Sequence, residues 1–342
     1  MTPVTPDALA WIRTLPKVEL HVHLEGSLSP TTIGALAARH GVDLSIVWPD
    51  GLPERLSFVD FDDFIRQFAF GVSLLRTGDD VLASIDALAS DLAANNVRYA
   101  EVTSTACIYH HLLGMEPSEY RAALDEGRRR ARAVGVELAW VIDIPRALEA
   151  PDEGWTAGFL AGPDAPDGVV GIGLGGPEVG YPAEWYEASF RAARALGLRS
   201  LPHAGETVGP ESVTAALDVL GADRIGHGVR AVEDPELVRR LADTGVPLEV
   251  SPTSNLLLGV APSMDAHPLR ELRDAGVRVS INTDDPGYFA TDLSAELALV
   301  AAHLDLSSAD LRGLEVAALD ASYADDATRA RVRAEIERHA LS

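Results

Sequence analysis

Ten histidines are spread along this chain of 342 residues, and four of them stand where a catalytic site is easily built. His21 and His23 lie in KVELHVHLEGSL, where Val18, Leu20, Val22 and Leu24 alternate with polar residues at the period of a half-buried strand. Two residues apart on a strand means one shared face. His203 and Glu206 follow in LPHAGE, His227 in RIGHG, and Asp284 and Asp285 in NTDDP. Three imidazoles and a carboxylate are a natural ligand set for Zn2+ that leaves a position for water. One strand can aim two imidazoles at an ion, and distant strands must supply the rest. The competing reading makes each histidine an isolated polar residue satisfied by a backbone carbonyl. For H-x-H alone the two readings weigh equally, and DDP by itself usually marks a solvated turn. The whole set, each member at the end of an apolar run, favours the metal.

Those apolar runs alternate with helical segments. TTIGALAARH stops at Gly41, and DDVLASIDALASDLAANN precedes the strand VRYAEVTS. PSEYRAALDEGRRRARAVG precedes VELAWVIDI, and PAEWYEASFRAARALG lies between VVGIGLGG and LRSLPHAGE. RIGHGV, VPLEVSPTSN and VRVSINTDDP read as the last three strands, separated by DPELVRRLADTG and HPLRELRDAG. About eight strand–helix units with near-continuous apolar strands predict an α/β fold, a (β/α)8 barrel in a single domain with extra helices. Its catalytic core would run from about residue 15 to 305, with C-terminal helices over 306–342. In such a barrel, chemistry sits at the C-terminal ends of the strands, where these residues fall. An open doubly wound sheet is the alternative, because strand order is not visible in sequence. The other six histidines, His40, His110, His111, His267, His303 and His339, fall on helices or loops and read as surface residues.

A net charge of −24 argues against nucleic-acid binding and against anionic membranes. It does not bear on a small neutral substrate, since a pocket can differ from the overall field. Cys107 is the only cysteine, so no intramolecular disulfide forms. MTPVTPDALAW shows neither a charged leader nor a long apolar run, so no signal peptide is expected, and the simplest expectation is a reduced, cytoplasmic protein.

In this order, KVELHVHLEGSL, LPHAGE, RIGHG, SPTSN and NTDDP resemble the signature set of the adenosine deaminase family, from about Lys17 to Phe289. The resemblance implies a barrel holding one Zn2+ and hydrolytic loss of ammonia from the 6-position of a purine. It implies His21, His23, His203 and Asp284 as metal ligands, Glu206 as proton donor to purine N1, and His227 as the group that orients the attacking hydroxide. Asp285 would hydrogen-bond N7, and the amide of Gly176 would reach N3. The residue types support these roles: attack at C6 pushes electrons onto N1, and a neutral carboxylic acid beside the metal can protonate it. In extended backbone the adjacent Asp284 and Asp285 point different ways, so one can face metal and the other substrate.

Other readings compete. Gly171, Gly173 and Gly176 satisfy G-x-G-x-x-G, but PEVGYP does not open the helix that a dinucleotide-binding loop requires. Binuclear amidohydrolases also begin with H-x-H. Lys17, the only lysine, lies on the first strand, which excludes their carboxylated-lysine version. A bridging-Glu version stays formally open, although the fourth strand ends in Gly. A non-catalytic purine-binding barrel would be favoured by loss of Glu206 or of a ligand, and none is lost.

Substrate signals are mixed. Family members acting on adenosine usually carry Asp where this chain has Glu25. Glu25 and PEVGYP resemble bacterial adenine deaminases, whereas Gly176 resembles nucleoside deaminases. Gly173 stands where many relatives have Asp, and Ser251 where many have Cys. The mixture suggests a nucleoside without a plain 5′-hydroxyl, and resembles the members that act on aminodeoxyfutalosine in menaquinone biosynthesis. Methylthioadenosine, adenosine and adenine are the alternative substrates. Phe58, Phe61, Phe64, Phe68 and Phe70 would supply rings to stack on a carboxybenzoyl group, or simply helix core. Arg66 and Arg146 are candidates to hold its carboxylate, with a surface position the alternative for each. Oligomeric state stays open.

Overall fold

The computed structural model describes residues 5–59, 61–148 and 154–341, and of residues 61 and 62 the backbone only. Eight strands follow one another in sequence order around a single parallel sheet: β1 (Lys17–His23), β2 (Val97–Ser104), β3 (Glu137–Pro145), β4 (Val169–Gly175), β5 (Arg199–Ala204), β6 (Ile225–His227), β7 (Leu248–Val250) and β8 (Val279–Ile281). β3 is buried along all but its first residue, as a strand covered on both faces must be. The helices between strands carry their own start and stop signals. Gly78–Ala94 begins with a reciprocal Thr77–Asp80 capping box, and Pro235–Thr244 ends at Gly245 with φ 69°.

A doubly wound sheet would leave two open edges. Here β1 and β8 meet instead. His23 donates its amide to the Asp284 carbonyl (2.8 Å), and Asp284 donates to the His21 carbonyl (3.0 Å). Deeper in the seam, side chains replace the ladder. The Leu20 amide donates to Asn282 Oδ1 (3.0 Å) and the Thr283 amide to Glu19 Oε1 (3.1 Å). The architecture is a (β/α)8 barrel.

Two sequence expectations change. VPLEVSPTSN is not strand throughout: β7 stops at Val250, and Pro252 opens a short helix, Pro252–Leu257, because its fixed φ suits a first helical position. His267 is not a surface residue. It is buried, with Nε2 3.1 Å from Asn255 Oδ1 and Nδ1 accepting from the Leu269 amide (3.1 Å), a satisfied core histidine.

The C-terminal helices Ser308–Ala321 and Asp326–Arg338 pack Leu319, Val332 and Ile336 against Val18, Leu20 and Tyr99. Lys17 is fully buried there, donating to the carbonyls of Leu15 (2.9 Å) and Asn95 (2.7 Å). Inside the barrel a second cation is buried. Arg224 lies between Glu101 and Glu249 and under the ring of Tyr323, 5.0 Å from its centroid. Breaking such a pair by removing one partner typically costs about 3–5 kcal/mol. Among the described residues no helix is long and apolar enough to cross a membrane.

Candidate functional site

The C-terminal strand ends bring the expected residues together. β1 supplies His21 and His23, their rings 5.3 Å apart, and β5 supplies His203, 4.5 Å from the ring of His21. His227 closes β6, 5.0 Å from His21. Asp284 follows β8, with Oδ1 3.3 Å from Nε2 of both His21 and His23. Its other oxygen accepts from the Ser254 hydroxyl (2.6 Å). His227 (φ 62°) and Asp284 (φ 64°) both take the left-handed conformation that side chains rarely adopt. Asp284 and Asp285 therefore diverge through this backbone twist and not, as expected, through extended alternation. Positive φ at non-glycine residues is a recurrent mark of functional positions.

The donor set fits a cation. Nε2 of His23 and His203 are 3.1 Å apart, facing each other, and His21 Nε2 is buried with no hydrogen-bond partner. Donors about 2.0–2.1 Å from one tetrahedral ion stand roughly 3.3 Å from each other, close to the separations found. The donor atoms of His21, His203, His227 and Asp284 lie within 4.8 Å of one another, as do those of His23, Asp284 and Asp285. Burial disfavours charge on His21 and His23, but the Asp284 carboxylate beside both, with Glu249 on the far side of His21, outweighs it and raises both, His23 to about 9. His203 is held well below its ordinary value by burial and by the neighbouring imidazoles. Protons thus gather around Asp284, and a divalent ion would take their place.

Glu249 was not singled out by its sequence context. It accepts from His21 Nδ1 (2.8 Å) and is paired on its other oxygen with Arg224, which fixes the ring so that Nε2 faces the cluster. Glu178 was also missed. Its carboxylate accepts from the amides of Gly205 (2.8 Å), Glu206 (3.0 Å), Thr207 (2.6 Å) and Val208 (3.0 Å) and from the Ser212 hydroxyl (2.6 Å). That nest pins the loop carrying Glu206. Glu206 Oε2 lies 3.7 Å from His227 Nε2. Burial, then Asp284 and Glu178, pushes the Glu206 carboxyl up to about 8, whereas burial pulls His227 down to about 4. At neutral pH one is an acid with a proton to give and the other a neutral base.

His23, His203, Glu206, His227 and Asp284 floor a cavity of about 560 Å3, walled further out by Phe64, Phe68, Leu112, Leu148 and Leu258. Asp285 faces it with Oδ1 unpartnered and its carboxyl raised by burial and by Asp284 to about 7. Only a glycine fits beside it: a Cβ at Gly26 would fall 1.6 Å from Asp285 Oδ1. Gly176 (φ 82°) lines the wall. Glu25 is buried at the edge, its Oε1 accepting from the Ser104 hydroxyl (2.7 Å) and the Thr105 amide (3.1 Å).

The two arginines part company. Arg66 is not among the lining residues; its side chain is 62% exposed and pairs with Asp63. Arg146 is buried in the wall, but Nη1 donates to the carbonyls of Leu174 (3.3 Å) and Gly176 (3.1 Å) and Nη2 to that of His203 (2.6 Å). Its fork ties β4 to β5, leaving Nε without a partner. Phe58, Phe64 and Phe68 pack on Tyr288 or Phe289, while Phe70 packs on Trp48. The side chain of Phe61 lies outside the described residues.

A buried cluster of imidazoles and carboxylates at the mouth of a (β/α)8 barrel defines a metal-dependent hydrolase of the kind the sequence resembles. Residues 16–339 match the model of the family described as adenosine deaminase, and the chain belongs to that family. It is 43% identical to the aminodeoxyfutalosine deaminase of Streptomyces avermitilis, over 97% of this chain and 93% of that one. Its fold is similar to that of an adenine deaminase from Arthrobacter aurescens (TM-score 0.88, 31% identity, covering 94% of this chain and 98% of that one). It is also similar to an amidohydrolase from Burkholderia ambifaria with bound Zn (TM-score 0.84, 30% identity, covering 98% and 93%). The chain is a hydrolase acting on C–N bonds, a deaminase.

The substitution Gly26→Ala is expected to displace Asp285 while sparing the metal-site residues. Misplacement of a contact group by about 1 Å can cost about 100-fold. A kcat/KM for deamination reduced to that extent, with unchanged metal content, is the expected result.

Proposed function

We propose that this protein is a zinc-dependent deaminase of a 6-aminopurine nucleoside bearing a bulky 5′ substituent, with aminodeoxyfutalosine, converted to futalosine in menaquinone biosynthesis, as its substrate. The cavity carries the proposal: its floor is polar and acidic, and its outer wall is apolar. A volume of about 560 Å3 suits a drug-sized ligand, and a bare purine would leave the apolar half empty. Identity to the Streptomyces avermitilis enzyme supports the same substrate. Similarity to the Arthrobacter aurescens enzyme supports adenine as the second reading.

In this proposal His21, His23, His203 and Asp284 hold the ion, on the 3.1 Å approach of His23 to His203 and the 3.3 Å approaches of His21 and His23 to Asp284, and the Zn in the Burkholderia ambifaria relative supports zinc. When bound, the ion supplies the Lewis acidity that makes water a nucleophile near neutral pH. His227, neutral and within reach of Glu206, accepts a proton from the attacking water and orients it toward C6. Glu206 in its acid form gives N1 the proton that attack at C6 demands. Asp285 in its acid form donates to N7, and the Gly176 amide to N3. The 6-amino group takes the proton held on His227 and leaves as ammonia, and the added hydroxyl returns a proton to Glu206 as it becomes the 6-oxo group. Phe64 and Phe68 flank the 5′ group. Neither Arg66, outside the cavity, nor Arg146, committed to three carbonyls, offers a bidentate fork to its carboxylate; Arg146 Nε is the donor left.

The test is kcat/KM, followed by the change in purine absorbance, for aminodeoxyfutalosine, methylthioadenosine, adenosine and adenine. Aminodeoxyfutalosine should lead by about tenfold or more, roughly 1.4 kcal/mol of transition-state discrimination; a lead for adenine would make the protein a base deaminase. The same assay run against pH has a predicted alkaline limb. The Glu206 carboxyl is raised, so its acid form is present at neutral pH and is lost as pH rises through about 8. Glu206→Gln should lower kcat by about 10²–10⁴-fold and leave metal content unchanged.

A further inference from the structure

The glycines of VVGIGLGG make no phosphate loop, but they leave a space with an occupant. Asp143, on β3, pairs in register with Gly173 on β4. A Cβ at Gly173 would fall 2.7 Å from Asp143 Oδ1, and one at Gly175 would fall 2.2 Å from Oδ2. The carboxylate therefore lies across the β4 backbone in room that two alternate glycines vacate. It is 3% exposed, lines the active-site cavity, and its Oδ1 has no hydrogen-bond partner; burial pushes the carboxyl up to about 7, and in either protonation form it keeps an oxygen able to accept. A buried acceptor without a donor costs free energy unless a ligand supplies the donor. Nearby Glu25 already receives two protein donors on Oε1.

We infer that Asp143 is a specificity-determining residue that accepts a hydrogen bond from a ribose hydroxyl of the substrate, an inference that rests on the nucleoside reading above. The donors of a 6-aminopurine nucleoside are few. Its 6-amino group is the leaving group and belongs at the metal site, and N1, N3 and N7 are acceptors. The 2′- and 3′-hydroxyls remain. A 5′-substituted nucleoside keeps both, and free adenine has neither. A site built to bond a hydroxyl rejects analogues lacking it far more strongly than an apolar pocket does. Asp143 thus gives the polar floor a means of selecting nucleoside over base.

Calorimetric binding of inosine, 2′-deoxyinosine and 3′-deoxyinosine, nucleosides with the product's 6-oxo base, tests this without depending on turnover. The wild-type protein should bind inosine about tenfold or more tighter than one of the deoxy analogues. Asp143→Ala should bring that ratio close to unity, and Asp143→Asn, which keeps an acceptor, should retain part of it. Gly173→Ala, which crowds the carboxylate without removing it, should also shrink the ratio and covers the case in which the Asp143 variants do not fold. A ratio that survives Asp143→Ala, or one already near unity in the wild type of an active deaminase, overturns the inference and leaves the deaminase reading standing. If the wild type neither binds inosine nor deaminates any aminopurine, both fall together.

Discussion

Everything at the site depends on a buried line of charge that runs from Glu101 through Arg224 and Glu249 to His21. Arg224 is fully buried, and desolvating a lone guanidinium would be prohibitive. Two carboxylates, from β2 and β7, offset that cost. Glu249 is held ionised, lowered to about 2: burial opposes the charge, but Arg224 and His21 overcome it. It then has one oxygen left to take the Nδ1 proton of His21. The tautomer and angle of that imidazole are thereby set, and Nε2 is turned toward His203, His227 and Asp284. The line joins β1, β2 and β7 through the residue just before β6, so the barrel's interior and its chemistry share one network.

The second constraint is space for carboxylates. Asp284, Asp285, Asp143, Glu25 and Glu206 all border one cavity. Packing so many acids together works only with a cation among them, with neutral acid forms, or with backbone close enough to donate. All three devices are present. The imidazole cluster around Asp284 offers a cation site, burial keeps Glu206 and Asp285 raised, and Glu178 is spent on the loop amides instead of on the cavity. Glycines at 26, 173 and 175 provide the clearance. Each stands where a methyl group would meet a carboxylate oxygen.

Much of this was legible in the sequence because period and position are local properties. H-x-H on an alternating strand places two imidazoles on one face wherever the strand ends up, and the ends of apolar runs mark the strand ends that converge. The barrel's handed, sequential order was legible only as a count of units; the β1–β8 seam depends on Asn282 and Glu19 standing in for backbone, which no pattern announces. Glu249 and Glu178 carry no signal in the sequence for one reason: an acid in a strand or loop looks alike whether it faces solvent, a buried arginine or the amides of a neighbouring loop. His267 reads as a surface residue because it follows a loop, and only the fold shows Asn255 beneath it. Arg66 and Arg146 were indistinguishable in sequence, yet one is in solvent and the other is tied to the carbonyl of His203.

At the centre of the site we propose one ion, held by three imidazoles and a carboxylate. X-ray absorption at the metal edge, combined with metal counting on the purified chain, measures that directly. The expected result is one divalent ion per chain with three imidazole nitrogens at about 2.0–2.1 Å, and loss of the ion in Asp284→Ala. Two ions per chain, an ion with fewer imidazole ligands, or full occupancy in Asp284→Ala would contradict it.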